Sequence, residues 1–286
     1  MLFDLLQNKT LITAYSNAHL NDLFRGFQKN PNYIDGHLKN IQALTNNLCI
    51  CQYWGRQNAE WHYRNIFEFF EEKTKEWEFE PASYSELFKD YPEMQQVLDL
   101  YKYIPLPPEF KQGYKEPMFG LMFPQSKIYN TQYSLQEDLF NFHKRLKSDY
   151  SLYKAFKNYL FTSINKLKNN REFIKSIKSN SKDLPKHLEL TDIFDTYTPK
   201  SKTSDNVMYS KIIDVFFKYD LSGYKSDGHF NNMFDDALHS FYAAHFDFFI
   251  TNDDRCKYKA EKTYDKLKIS TKVLKIDQMQ EIKNCC

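Results

Sequence analysis

Apolar residues recur at intervals of three and four over much of this chain and gather into short unbroken runs at only a few places, a contrast that separates predicted helices from predicted strands. Residues 10–15, Thr-Leu-Ile-Thr-Ala-Tyr, read as a strand, and Ser16 then suits the N-cap of a helix carrying His19, Leu20, Asp22, Leu23 and Phe27. Residues 35–44 read as a short helix, 48–53 as a strand or buried turn, and 54–77 as one long aromatic helix. A helix over 91–103 follows. Proline clustering makes 104–124 irregular and the natural place for a hinge. Ser134 and Glu137 have capping-box spacing. Beyond them Leu139, Phe142, Leu146, Tyr153, Phe156, Leu160, Ile164 and Leu167 repeat at helical intervals, as one long helix or two in line. Asp205 can cap a helix that holds Val207, Ile212, Val215, Phe216 and Tyr219.

The most informative stretch lies near the end. Met233, Ala237, Ser240 or Phe241 and Ala244 share a helix face, and Phe248-Phe249-Ile250-Thr251 is a β-prone run too short for another helix. Residues 257–267 then predict a helix and 271–274 a last strand. In open α/β sheets ligands collect at the carboxyl ends of strands, where Asp253 falls. Asp236 opens the preceding helix, so two carboxylates from separate elements can converge on one hard divalent cation. Neighbouring helix positions diverge by about 100°, which predicts that only one of Asp235 and Asp236 points inward; the register with Ala243 selects Asp236. His239, on the same face, and His19, beside Asp22, could orient a ligand or bind phosphate, although a lone His is more often structural.

An Asp opening a helix, a small residue seven positions on, an apolar strand and then Thr251-Asn252-Asp253 resemble the C-terminal half of a PIN-like nuclease domain. The resemblance covers residues from about 205 to the end and, more faintly, residues 1–30. It implies a parallel-sheet α/β core, Mg²⁺- or Mn²⁺-dependent cleavage of RNA or DNA phosphodiesters, and about four acids at the carboxyl edge of the sheet. Carried over residue by residue, it makes Asp22, Asp236 and Asp253 the metal ligands and catalytic acids. The family's opening strand, which ends in an Asp, has no counterpart here. Asp4 sits within Leu2-Phe3-Asp4-Leu5-Leu6 and reads as an exposed helix face. The expected architecture is thus a discontinuous PIN-like core, residues 1–30 and 205–286, interrupted by an all-helical insertion over 31–204.

Composition narrows the function classes. A 42% hydrophobic chain can build a core, and with 7 glycines against 25 Phe and 21 Tyr it is helix-rich and lacks a glycine-rich phosphate loop. The net charge of +2 announces nothing, but its distribution does. Residues 144–186 hold 12 Lys or Arg against three acids, so Lys144, Arg145, Lys147, Lys166, Lys168, Arg171 and Lys175 are expected to meet nucleic-acid phosphates, while the interleaved aromatics face one side and read as core. Residues 68–99 hold ten acids against three bases, a surface for a basic protein partner or for the chain's own basic half; Glu68 and Glu72 belong to this solvated face more readily than to a metal. Five cysteines without zinc-ligand spacing predict reduced thiols. No run reaches the roughly eighteen apolar residues of a membrane span, so a cytoplasmic protein without a membrane partner is expected. No serine-hydrolase, metalloprotease or cysteine-nucleophile pattern competes with the carboxylates. The other reading is a PIN-like scaffold without cleavage, serving as a nucleic-acid- or protein-binding module.

Overall fold

The computed structural model describes residues 11–53, 56, 58–77, 81–172, 175, 208–223, 225, 227–278 and 280–283. The chain divides into two compact units. One comprises residues 1–78, 164–227 and 231–286, the other 79–163 and 228–230.

The first unit opens with β1 (Tyr15–Ser16), shorter than the predicted strand, which runs straight into α1 (Asn17–Lys29). Then come α2 (Ile34–Thr45) and β2 (Leu48–Cys51). The single helix expected over 54–77 is instead a strand, β3 (Glu60–Tyr63), followed by α3 (Ile66–Trp77). Residues Glu60-Trp61-His62-Tyr63 alternate between half-buried and exposed, the period of a strand edge, and pair antiparallel with β2. Because β1 and β2 are parallel, the sheet β1-β2-β3 is mixed rather than wholly parallel. Trp61 therefore shares no helix face with Glu68 and Glu72; Glu72 pairs with Arg64 and Glu68 is exposed.

The second unit is helical: α4 (Pro92–Tyr101), α5 (Glu109–Gly113), α6 (Pro117–Met122), α7 (Pro124–Tyr129), α8 (Gln132–Ser148) and most of α9 (Tyr150–Lys168). The proline-rich stretch is irregular through Pro108, as expected, but from Glu109 it is mostly short helices. Proline has no N–H to lose at a helix start, and Pro92, Pro117 and Pro124 each open a helix. Nor does this stretch lie at a boundary between the units. The buried carboxylate of Asp138 fixes α7 by accepting from Gln125 N (3.0 Å), Ser126 N and Ser126 Oγ (both 2.6 Å). The capping box of α8 sits one turn earlier than Ser134-Glu137, with Thr131 as cap and Ser134 at its third position. The helix ends where Asp149 turns extended, so the chain forms two helices whose Phe142, Leu146, Leu152 and Tyr153 bury one another.

The chain returns to the first unit through α10 (Met208–Leu221), α11 (Phe230–Ala243), β4 (Phe248–Ile250), α12 (Asp254–Leu267), β5 (Lys272–Leu274) and α13 (Gln280–Lys283). Strands β4 and β5 form a second, parallel, two-stranded sheet. Ala18, Ile50, Ile212, Phe216, Ala237, Phe241, Ala260, Tyr264 and Val273 make the main core, so both sheets and α10–α12 share one apolar interior. The α/β, helix-rich character holds. The insertion begins near residue 79 rather than 31, because residues 34–77 supply two strands and two helices to the first unit. The caps expected of Asp205, and Asp4, lie outside the described residues. Cys49, Cys51 and Cys256 are buried free thiols, and no described helix is long and apolar enough to cross a membrane.

Candidate carboxylate site

Helix α11 organises the site because its apolar face is committed: Met233, Ala237, Ser240 and Phe241 are buried to 1% exposure or less. That fixes where its acids go. Asp235 and Asp236 turn to different neighbours, as adjacent helix positions must. Asp235, 7% exposed, takes Arg25 of α1 at 2.7 Å and accepts from Asn21 Nδ2 at 3.4 Å. Asp236 lies toward α12, its Oδ2 4.0 Å from Lys259 Nζ. Both acids are thus used, contrary to the expectation that only Asp236 turns inward.

On the α1 side, Ser16 N donates to His19 Nδ1 (3.1 Å), which makes Nδ1 the acceptor and puts the neutral ring's proton on Nε2. Burial, then the neighbouring His239, depresses the His19 pKa to about 3. The two imidazoles meet edge to face at 4.8 Å. Asp22 lies one turn further, with Oδ1 on Arg25 and Oδ2 2.8 Å from His239 Nε2. Burial alone would raise its pKa, but His239 and Arg25 outweigh that and hold it below the usual carboxylate range. Both oxygens of Asp22 are therefore engaged.

Asp253 ends the β4 connection and caps α12, its Oδ1 accepting from Arg255 N (2.7 Å) and Cys256 N (2.9 Å). The helix starts at Asp254, three residues before the predicted position, because this cap satisfies its first free amides.

Sequence reasoning missed the innermost part. Lys259 is wholly buried, as is Asp220; Nζ lies 2.8 Å from Asp220 Oδ1, contacts Asp227 Oδ2, and stands 4.8 Å from the centre of the Phe216 ring. Asp227 N closes the loop by donating to Asp220 Oδ1 (2.7 Å). Burial opposes the lysine's charge, yet the two aspartates raise its pKa, so it is an ammonium at neutral pH. A signal existed: Cys256, Lys259, Ala260, Thr263 and Tyr264 form one buried helical stripe, and a lysine within such a stripe requires buried anions.

Asp236 carries the consequence. Burial first, then Asp227, with Asp253 and Asp22 adding and Lys259 opposing, pushes its pKa up to about 8. The expected acids Asp22, Asp236 and Asp253 therefore share one electrostatic neighbourhood. Around it, the carboxyls of Asp22, Asp220, Asp227, Asp235, Asp236 and Asp253 face the cations Arg25, Lys259 and the more exposed Arg255, which is 4.0 Å from Asp227. Carboxylate oxygens are the donors Mg²⁺ and Mn²⁺ prefer. Asp236, and the second oxygen of Asp253, fit that requirement; Asp22 meets it only by releasing Arg25 and His239. Among the described residues no group of three or more His, Cys, Asp or Glu side chains is arranged to hold a metal ion.

The basic residues are scattered. Lys144 donates to Pro81 O (3.0 Å) and Arg145 to Leu121 O (3.3 Å), while Lys147 is exposed. These three belong to the second unit; Lys166, Arg171 and Lys175 are exposed in the first, and the side chain of Lys168 and residues 176–186 lie outside the description. The interleaved Phe142, Tyr153 and Phe156 are core, as their spacing predicts. The acidic stretch is likewise divided between the units, and part of it is spent locally, as in Glu71–Lys75 (2.8 Å) and Asp99–Lys102 (2.7 Å).

Comparison with models of protein families, with curated proteins and with solved structures finds no match for this chain.

Proposed function

We propose that the chain is a PIN-like nuclease core that hydrolyses RNA or DNA phosphodiesters with Mg²⁺ or Mn²⁺ held at Asp236 and Asp253. The observation that carries this reading is the position of Asp236, a largely buried carboxyl beside Asp227 and Asp253, whose proton affinity burial first, and those carboxyls second, raise to about 8. A group in that field is relieved either by a proton or by a cation, and a divalent ion relieves Asp253 as well. When bound, such an ion polarises a phosphate and acidifies a water. The chain's own residues do the rest. Lys259 neutralises Asp220 and Asp227 behind the site, Arg25 holds Asp235, and His239 gives its Nε2 proton to Asp22 and so fixes that carboxylate beside the site. Asp22 is a second-rank ligand in this reading, available when Arg25 moves onto a phosphate.

A second reading has its own support. Lys259 supplies a cation inside the cluster, and Asp22 and Asp235 are already paired with Arg25, which suits a PIN-like module that binds nucleic acid or protein without cutting. One paired measurement separates the two. In the nuclease reading Mn²⁺ raises the melting temperature of the wild-type chain, by RT ln(1 + [Mn²⁺]/Kd) in free energy, and the chain cuts single-stranded RNA or DNA. Asp236→Asn abolishes both effects while folding normally. A wild-type chain that neither gains stability with Mn²⁺ nor cuts, but retains salt-sensitive nucleic-acid binding, is the non-catalytic module.

A further inference from the structure

Two strand edges of the first unit face one groove. Among the described residues β1 is the outer strand of its sheet and β4 has its partner β5 on one side only, and residues 11–16 together with 246–250 line a cleft of about 770 Å³. Ile41 and Leu44 of α2, Tyr242 and Ala243 of α11 and Ile282 of α13 complete its walls. The sequence of β4 is apolar at every position, the signature of a strand covered on both faces, yet Phe248, Phe249 and Ile250 are each only half-buried. Leu11-Ile12-Thr13-Ala14 has the same character, and Ile12 is 70% exposed.

Edge strands present a row of backbone N–H and C=O groups that another strand can match. Here two such rows face one space. Their direction is the same: β1 runs into α1, whose Asp22 meets His239 of α11 at 2.8 Å, and β4 leads to α12, whose Cys256 Sγ lies 4.0 Å from Asp236 O of α11, so the carboxyl ends of the two strands lead to one stretch of that helix. Among the described lining residues the one carboxylate is Asp247, no Lys or Arg is present, and the imidazoles are those of His19, His239 and His245 among mostly apolar side chains, so the chemistry favours an apolar, uncharged occupant.

We propose that an extended, uncharged apolar strand of a partner polypeptide inserts between β1 and β4, parallel to both, and joins the two sheets into one of order β3-β2-β1-strand-β4-β5. Strand addition of this kind takes its affinity from main-chain hydrogen bonds and its selectivity from side-chain pockets. Five or six residues, a common strand length, suffice. The proposal does not depend on the metal reading, and its test is run in excess chelator so that the two fail separately.

The probe is the uncharged peptide acetyl-Ser-Thr-Val-Ile-Val-Thr-Ser-amide, added to the full chain. Amide hydrogen exchange across residues 11–16 and 246–250 is expected to slow at least tenfold on binding. A second peptide, N-methylated at Thr, Ile and Thr, lacks the donors for one edge and is expected to bind at least tenfold more weakly. The control lies in the peptide, so the folding of no protein variant enters. Absence of protection, equal binding by the methylated peptide, or amides of both edges already protected in the free chain, which would mean that the chain fills its own groove, each overturn the proposal.

Discussion

The two sides of helix α11 hold the same chemistry in opposite conditions. Toward α12, Asp220 and Asp227 surround an ammonium with no solvent exposure at all; toward α1, Asp22 and Asp235 share a guanidinium that is one-third exposed. The inner arrangement has exchanged its water for fixed partners, so its charges can only be structural. The outer one keeps contact with solvent, and its partners can be traded for a ligand. Asp236 stands between them and belongs fully to neither. A cluster of acids in a sequence is therefore not one site: burial decides which members hold the fold and which remain available.

The largest test of this contrast is Lys259→Met. It leaves two buried carboxylates without their cation, and a loss of about 3–5 kcal/mol is expected in urea unfolding. Adding Asp220→Asn and Asp227→Asn to the same chain should recover most of it, because removing the whole charged set costs far less than breaking it. A loss under about 1 kcal/mol for the single variant would put Lys259 in solvent and dissolve the distinction.

On the outer side Arg25→Ala should cost less, about 1–2 kcal/mol, since Asp235, though nearly buried, keeps Asn21 as a donor and Asp22 is half-exposed. Asp236→Asn is expected to go the other way. A carboxyl with a native pKa of about 8 against 3.8 when unfolded holds its proton more tightly in the folded chain, so its ionisation erodes stability as pH rises from about 4 to 8. The Asn variant should accordingly gain on the wild type between pH 5 and pH 8, at about 1.4 kcal/mol per pH unit and so by a few kcal/mol over that range, read as a rising difference in melting temperature. A constant difference across that range would mean that Asp236 ionises normally. Asp22→Asn, half-exposed and paired at the surface, should stay within about 0.5 kcal/mol in stability.

Legibility followed the same divide. Helix α11 and strand β4 were readable because Met233, Ala237, Phe241 and the run Phe248-Phe249-Ile250 carry strong periodic signals. Strand β3 was not: Trp61 and Tyr63 favour a helix or a strand about equally in isolation, and the pairing with β2 that decides between them is a tertiary fact. The acids near Asp236 were found from their places relative to strands. Lys259 was passed over because a lysine in a helix is ordinarily solvated, and the aspartates that bury it come from 39 and 32 residues away. The number of available ligands was also misjudged, since sequence spacing does not reveal that Arg25 and His239 occupy both oxygens of Asp22.

The cap of α1 makes the first helix an acid-sensitive hinge pin. His19 holds the backbone amide of Ser16 through a lone pair on Nδ1, and a proton on that nitrogen would destroy the hold while charging a buried ring. An unfolded histidine takes up its proton near pH 6.5, the native one near pH 3, so stability is complete above pH 6.5 and drains away as the medium acidifies toward 3. Acid should therefore loosen this chain from the β1–α1 junction outward, releasing Asp22, its arginine and His239 before the lysine-centred interior notices the change.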